Sequence, residues 1–119
     1  MKVTIYHNPR CSKSRQTLQL LEEKGLKPTV IEYLKTPPET EKIESFLSYL
    51  NMQPRDLMRK KETEYEENNL ADESLSHQQL LDVMFQNPKL IERPIVVVET
   101  ADQTKVALGR PLENVIDIL

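Results

Sequence analysis

The chain has 119 residues, of which 38% are hydrophobic and 29% charged, and its formal net charge is −3. These values predict a globular protein whose core needs no disulfide or metal, and the acidic balance disfavours general binding to nucleic acid or membranes. No stretch reaches the ~20 apolar residues of a transmembrane helix. A single cysteine cannot form an internal disulfide, so a reducing, cytoplasmic setting is expected.

The first third of the chain predicts a β-α-β unit. Residues 2–7 alternate in polarity and include β-branched side chains, as a strand does. Residues 12–24 carry leucines at helical spacing and end at Gly25, which suits a helix C-terminus. Residues 27–34 predict a second strand. Because a helix connects the two strands, we expect them to be parallel neighbours.

The middle of the chain predicts several helices. Thr36, which precedes two prolines, is predicted to cap a helix whose apolar residues recur at i, i+3, i+4 and i+7. A shorter helix is predicted over 54–61, followed by an acidic helical or loop connection over 62–74. Ser76 and Gln79 resemble a capping box that begins another helix.

The last third predicts two strands and a helix. Residues 94–99 predict a strand whose positions 95–98 are consecutively apolar. Residues 105–108 follow a polar turn, and residues 112–119 have the spacing of an amphipathic helix. The order of elements is typical of an α/β, thioredoxin-like fold, in which β-α-β and β-β-α halves form a mixed sheet. We expect a single thioredoxin-like domain over 1–119, with a helical insertion between the halves at about 36–90.

Cys11 is the most informative residue of the chain. It follows an Asn-Pro turn at the predicted start of the first helix, where unpaired N–H groups and the helix dipole favour a thiolate. The alternative is a small buried apolar residue, which is a common role for free cysteine. The cationic neighbours Arg10, Lys13 and Arg15 argue against that alternative.

The residue that would complete a Cys-x-x-Cys motif is Ser14. A serine cannot resolve a mixed disulfide. Any covalent adduct on Cys11 must therefore be cleared by a thiol from another molecule.

Three arginines suggest an anionic electrophile. Arg59 lies in the helical region, Arg93 precedes Pro94, and Arg110 lies between a glycine and a proline. Guanidinium groups bind tetrahedral oxyanions through paired hydrogen bonds, and a helix N-terminus adds N–H donors. The alternative is that these arginines are solvated surface charges. The prolines beside Arg93 and Arg110, at predicted strand ends, make that alternative less favoured.

These motifs together resemble the glutaredoxin-coupled arsenate reductases, an ArsC-like family. Residues 7–15 match the signature His-Asn-Pro-x-Cys-x-x-Ser-Arg, and the likeness continues through 57–60, 92–97 and 109–111. The Arg-Cys-Ser-Lys-Ser pattern is similar to a less characterised subgroup of the family. The resemblance implies a monomer with a thioredoxin-like fold and a helical insertion.

The resemblance also implies a chemistry for the site. In this family the cysteine attacks arsenate, glutathione attacks the adduct, and glutaredoxin reduces the mixed disulfide as arsenite leaves. By motif position Cys11 is the nucleophile, and Arg59, Arg93 and Arg110 hold the oxyanion. Glutathione is a co-substrate, and no bound cofactor or metal is implied.

The remaining motif residues have supporting roles by resemblance. His7 helps to lower the pKa of the cysteine, and Ser14 donates a hydrogen bond to the thiolate. Arg15 completes the signature after the nucleophile, and Pro94 corresponds to the family's cis-proline.

Two other functions remain open at the level of sequence. A monothiol oxidoreductase that acts on glutathione mixed disulfides would use the same cysteine. An Spx-like redox-sensing transcription regulator would share the fold and bind RNA polymerase, although Ser14 prevents the internal disulfide that many of those proteins form. His7 and His77 are the only histidines and show no zinc-ligand spacing.

Overall fold

The computed structural model describes residues 1–119 and contains a four-stranded sheet and five α-helices. The strands are β1 (Lys2–His7), β2 (Thr29–Glu32), β3 (Ile95–Glu99) and β4 (Thr104–Leu108). The helices are α1 (Ser12–Glu23), α2 (Thr40–Leu50), α3 (Thr63–Glu67), α4 (His77–Gln86) and α5 (Glu113–Ile116). The chain divides into two units, of which the first is Met1–Thr36 with Arg93–Leu119 and the second is Pro37–Glu92.

The sheet of the first unit has the strand order β2-β1-β3-β4. β1 is parallel to β2 and antiparallel to β3, and β3 is antiparallel to β4. The parallel pair follows from the α1 crossover, because a tight turn cannot join parallel strands. The predicted thioredoxin-like layout, β-α-β followed by β-β-α, is confirmed.

The core of the first unit lies between α1, the sheet and α5. Alternate residues of a strand point to the same face of the sheet, and the buried face of α1 packs against that face. Their apolar side chains form one cluster. Leu21 of α1 is fully buried in this cluster. The other buried members are Val3, Ile5, Val96, Val98, Ala107 and Val115.

The second unit is helical. α2 and α4 pack against each other, and each buries three apolar side chains. Two short 3₁₀ turns, Pro54–Leu57 and Pro88–Leu90, are connected by a β-bridge between Met58 and Ile91. The predicted insertion falls on this unit, whereas the single-domain organisation stays a prediction. None of the chain's helices combines the length and apolarity needed to cross a membrane.

Two predicted helix boundaries are wrong. α2 begins at Thr40 with Glu39 as its N-cap, three residues after the predicted cap Thr36. The N–H of Thr36 instead closes a turn on Glu32, and a residue that precedes a proline is disfavoured in a helix, which excludes Pro37 from the first turn. The helix predicted over 54–61 is only a 3₁₀ turn, because the chain becomes extended where it forms the bridge.

Two other elements are shorter than predicted. β2 covers only Thr29–Glu32 of the predicted 27–34. The acidic connection, predicted to be helical or loop, contains the short helix α3 (Thr63–Glu67). α5 is a single turn that buries Val115, because Ile116 and Leu119 at its end remain exposed and gain nothing from a longer helix.

Replacing Leu21 with alanine is expected to lower the free energy of unfolding by about 2–5 kcal/mol, since the side chain is fully buried and leaves a cavity. Leu34→Ala is the matched control. Its side chain is 38% exposed, so the loss should be clearly smaller. Urea denaturation of both variants measures the difference, and equal losses would contradict the described core.

Candidate active site

Cys11 occupies the N-cap of α1, directly after the loop that ends β1. Its backbone is extended, with φ −96° and ψ 121°, and its N–H donates to the Asn8 carbonyl at 3.0 Å. The Asn8 side chain accepts the Arg10 N–H at 3.0 Å, and the Arg15 guanidinium donates to the Pro9 carbonyl at 3.0 Å. The loop is thus closed from both sides, which fixes the sulfur at the helix N-terminus.

Two arginines from different loops meet at the Cys11 sulfur. The Arg110 Nη2 lies 3.5 Å from Sγ, and its Nε donates to the Arg93 carbonyl at 2.8 Å. The Arg93 side chain also acts on the sulfur and lowers the pKa of the thiol. Each arginine precedes a cis proline, Pro94 and Pro111, and the resemblance implied the cis bond at Pro94. The structure therefore brings together Cys11, Arg93 and Arg110 from opposite ends of the chain.

The pKa of the Cys11 thiol lies below its ordinary value. Burial is the largest influence and raises the pKa, because only 7% of the residue is exposed. Three groups lower the pKa and together outweigh the burial: the Ser14 N–H, the Arg93 side chain and the Lys13 N–H. The thiolate is therefore favoured by backbone N–H groups and by guanidinium charge at a helix N-terminus.

His7 and Ser14 form a buried pair behind the cysteine. The His7 Nδ1 and the Ser14 Oγ are 2.6 Å apart, and the same oxygen accepts the Asn8 N–H at 3.0 Å. Burial lowers the pKa of His7, opposed by the charge of Glu32 and assisted by that of Arg15, so the neutral imidazole is favoured. The Ser14 hydroxyl is thus engaged with His7, while the Ser14 backbone N–H serves the sulfur.

Close packing at Gly109 supports the position of Arg110. The Gly109 N–H donates to the Pro94 carbonyl at 2.9 Å, and a Cβ added to the glycine would lie 2.7 Å from Pro94 Cγ and 2.8 Å from Thr17 Oγ1. Thr17 is fully buried and donates to the Lys13 carbonyl at 2.8 Å. The sequence analysis missed Thr17, and its placement at i+3 from Ser14 on the helix was the only available signal.

Arg59 belongs to the second unit, and its predicted role at the oxyanion stays a prediction. Its N–H donates to the Leu90 carbonyl at 2.7 Å, so the bridge beside the two 3₁₀ turns fixes its backbone. Its guanidinium forms ion pairs with Glu62 and, at 3.8 Å, with Glu92. The sequence analysis did not anticipate either carboxylate. No group of three or more His, Cys, Asp or Glu side chains within residues 1–119 is arranged to hold a metal ion.

The fold and this site define a thioredoxin-like protein with an activated cysteine at the start of its first helix. The sequence profile of the ArsC family matches residues 6–118. The chain belongs to the ArsC family.

The chain is similar to known proteins over nearly its whole length. The uncharacterised protein YfgD of Escherichia coli strain K12 is 51% identical over 119 residues, which cover 99% of this chain and 97% of that protein. An arsenate reductase of Rhizobium meliloti strain 1021 is 44% identical, covering 100% of this chain and 82% of its own length. The solved structure of an arsenate reductase from Vibrio cholerae is 49% identical and has a TM-score of 0.91, covering 100% of this chain and 98% of that one.

Replacing Arg93 with glutamine is expected to raise the pKa of Cys11, because a positive charge and a hydrogen-bond donor near the thiolate are lost. The midpoint of iodoacetamide alkylation should move to higher pH. Lys24→Gln, which removes a cation at the other end of α1, is the control and should leave the midpoint in place. An unmoved midpoint in the Arg93 variant would contradict the assigned role.

Replacing Ser14 with alanine is expected to leave the pKa of Cys11 nearly unchanged, since the backbone N–H remains. The variant should instead lose about 1–3 kcal/mol of unfolding free energy, because the buried His7 Nδ1 loses its partner. Ser45→Ala, which removes an exposed hydroxyl, is the stability control. A large rise in the thiol pKa would show that the hydroxyl, and not the N–H, stabilises the thiolate.

Proposed function

We propose that the protein reduces arsenate to arsenite through a single nucleophilic cysteine, Cys11, with glutathione and glutaredoxin as external reductants in a reducing, cytoplasmic setting. The observation that carries this proposal is the convergence of Arg93 and Arg110 on a sulfur whose pKa is lowered. The names of the arsenate reductase relatives support the same substrate.

The proposed reaction needs two electrons, which two sulfur atoms supply. The Cys11 thiolate attacks arsenic, an S–As bond forms, and one arsenate oxygen leaves as water after protonation. A glutathione thiolate then attacks the Cys11 sulfur, so that a disulfide forms and the S–As bond breaks. The bonding pair leaves with arsenic, which becomes arsenite, and a glutaredoxin thiol attacks the glutathione sulfur to release Cys11.

Several features of the site favour a tetrahedral dianion. The sulfur lies at a helix N-terminus beside two guanidinium groups, which are the donors that bind oxyanions most strongly. The Arg93 Nε is buried and has no hydrogen-bond partner in the structure. A buried donor without a partner is costly, and an oxyanion oxygen would supply the missing acceptor. Arg59 is proposed as the third oxyanion ligand from its place in the family motif.

The monothiol oxidoreductase alternative would use the same activated thiol but has less need of Arg110. The reacting disulfide bond has no oxyanion beside the Cys11 sulfur for the guanidinium to hold. Arg110→Lys keeps the positive charge but removes the planar pair of donors, so it separates the two functions.

Arsenite formation from arsenate, with glutathione, glutaredoxin and NADPH-driven recycling, is expected for the wild type and absent for Cys11→Ser. Arg110→Lys should lower kcat/KM for arsenate about 10²-fold, because paired donors to the reacting oxyanion are lost. The same variant should cleave a glutathione mixed disulfide at nearly the wild-type rate.

The control variant is Lys24→Gln, whose side chain lies at the far end of α1. Disulfide cleavage without arsenate turnover would replace the proposal with the monothiol function. Co-purification of the chain with RNA polymerase, with neither activity present, would favour the regulator instead.

A further inference from the structure

The Arg59 guanidinium is already occupied by carboxylates of its own unit. It forms an ion pair with Glu62, three residues later, and lies 3.8 Å from a Glu92 oxygen. The Arg59 and Glu62 side chains are each 28% exposed, so the pair is only partly screened by water. An oxyanion that binds Arg59 must compete with these carboxylates.

The local backbone holds Glu62 against Arg59. The Glu62 N–H donates to the Arg59 carbonyl at 3.1 Å, which closes a turn between the two residues. Glu62 is also the N-cap of α3, yet its side chain makes no capping hydrogen bond to that helix. Its carboxylate is directed to the guanidinium instead of the helix N–H groups that an N-cap side chain ordinarily accepts from.

We propose that Glu62 competes with the oxyanion for Arg59 and thereby sets the affinity of the site for oxyanions. This inference rests on the proposed function, in which Arg59 is an oxyanion ligand. A dianion that approaches Arg59 displaces the carboxylate or meets its negative charge, and either event weakens binding. Glu62 therefore lowers the affinity for arsenate and phosphate alike, since the two ions share charge and shape.

Arsenate and phosphate have the same shape and charge, so the site distinguishes them poorly by binding alone. Phosphate cannot be reduced by a thiol, so phosphate bound beside Cys11 only blocks the reaction. A weakened site is less readily filled by phosphate, whereas bound arsenate is withdrawn by its reaction with the sulfur. Glu62 thus reduces the occupancy of the site by phosphate, and it also lowers the affinity for arsenate.

Glu62→Gln tests the proposal because it keeps a hydrogen-bond acceptor and removes the charge. The KM for arsenate and the inhibition constant of inorganic phosphate should each fall roughly threefold to tenfold. A residue that merely orients Arg59 would give the opposite sign, since its loss raises KM. Glu67→Gln, which removes an exposed carboxylate at the end of α3, is the matched control and should change neither constant.

Arg59→Ala provides the second arm. The Glu62→Gln change should lower KM clearly less in that background than in the wild type, because the competition for the guanidinium is gone and only the repulsion by the carboxylate remains. A constant or raised KM in Glu62→Gln would overturn the inference while arsenate turnover, and with it the proposed function, stands. An unchanged KM in Arg59→Ala would overturn both the inference and the assignment of Arg59 to the oxyanion.

A second measurement tests the inference even if the wild-type protein does not reduce arsenate. Protection of Cys11 from iodoacetamide by inorganic phosphate reports occupancy of the anion site without any reduction. Glu62→Gln should reach half-protection at a roughly threefold to tenfold lower phosphate concentration. An unchanged concentration would overturn the inference independently of the reductase activity.

Discussion

The site depends on holding a buried thiolate at the N-terminus of α1. Burial of Cys11 opposes ionisation, whereas the N–H groups of Lys13 and Ser14 and the Arg93 guanidinium favour it and together lower the pKa of the thiol. Remove those donors and the residue becomes an inert buried thiol. The rest of the first unit can be understood as the framework that keeps these groups in contact.

That framework uses both ends of the chain. Cys11 follows the loop after β1, Arg93 lies just before β3, and Arg110 lies just after β4. Because β1, β3 and β4 are neighbours in the sheet, these three residues come together. The Gly109 N–H binds the Pro94 carbonyl, and the tight packing of that glycine against Thr17 leaves no room for a side chain. The sheet thereby converts three residues that are distant in sequence into one site, while the fold alone does not determine its chemistry.

Sequence patterns predicted β1, β3, β4 and α1 closely, because these elements follow local periodicity, and the Asn-Pro turn indicated that Cys11 lies at the start of α1. They failed where tertiary contacts or paired prolines override local preference. Thr36 looked like a cap, but Pro37 cannot be helical before another proline. The bridge from Met58 to Ile91 ended a helix that propensity alone would continue.

The carboxylates around Arg59 show a further limit of sequence reasoning. Glu62 is near enough along the chain to be a candidate partner, but many glutamates in the acidic stretch have similar spacing to a cation. Glu92 is brought to Arg59 only by the pairing of distant segments. A motif identifies a residue type at a position, whereas the partners of that residue follow from the fold.

The central claim is that Cys11 passes from an arsenic adduct to a glutathione disulfide. Intact-mass analysis of the protein, kept anaerobic with reduced glutathione, tests that order directly. We predict one glutathione bound at Cys11 only when arsenate is present, and none in Cys11→Ser. Glutathione attachment that is independent of arsenate, or no attachment with arsenate present, would contradict the account.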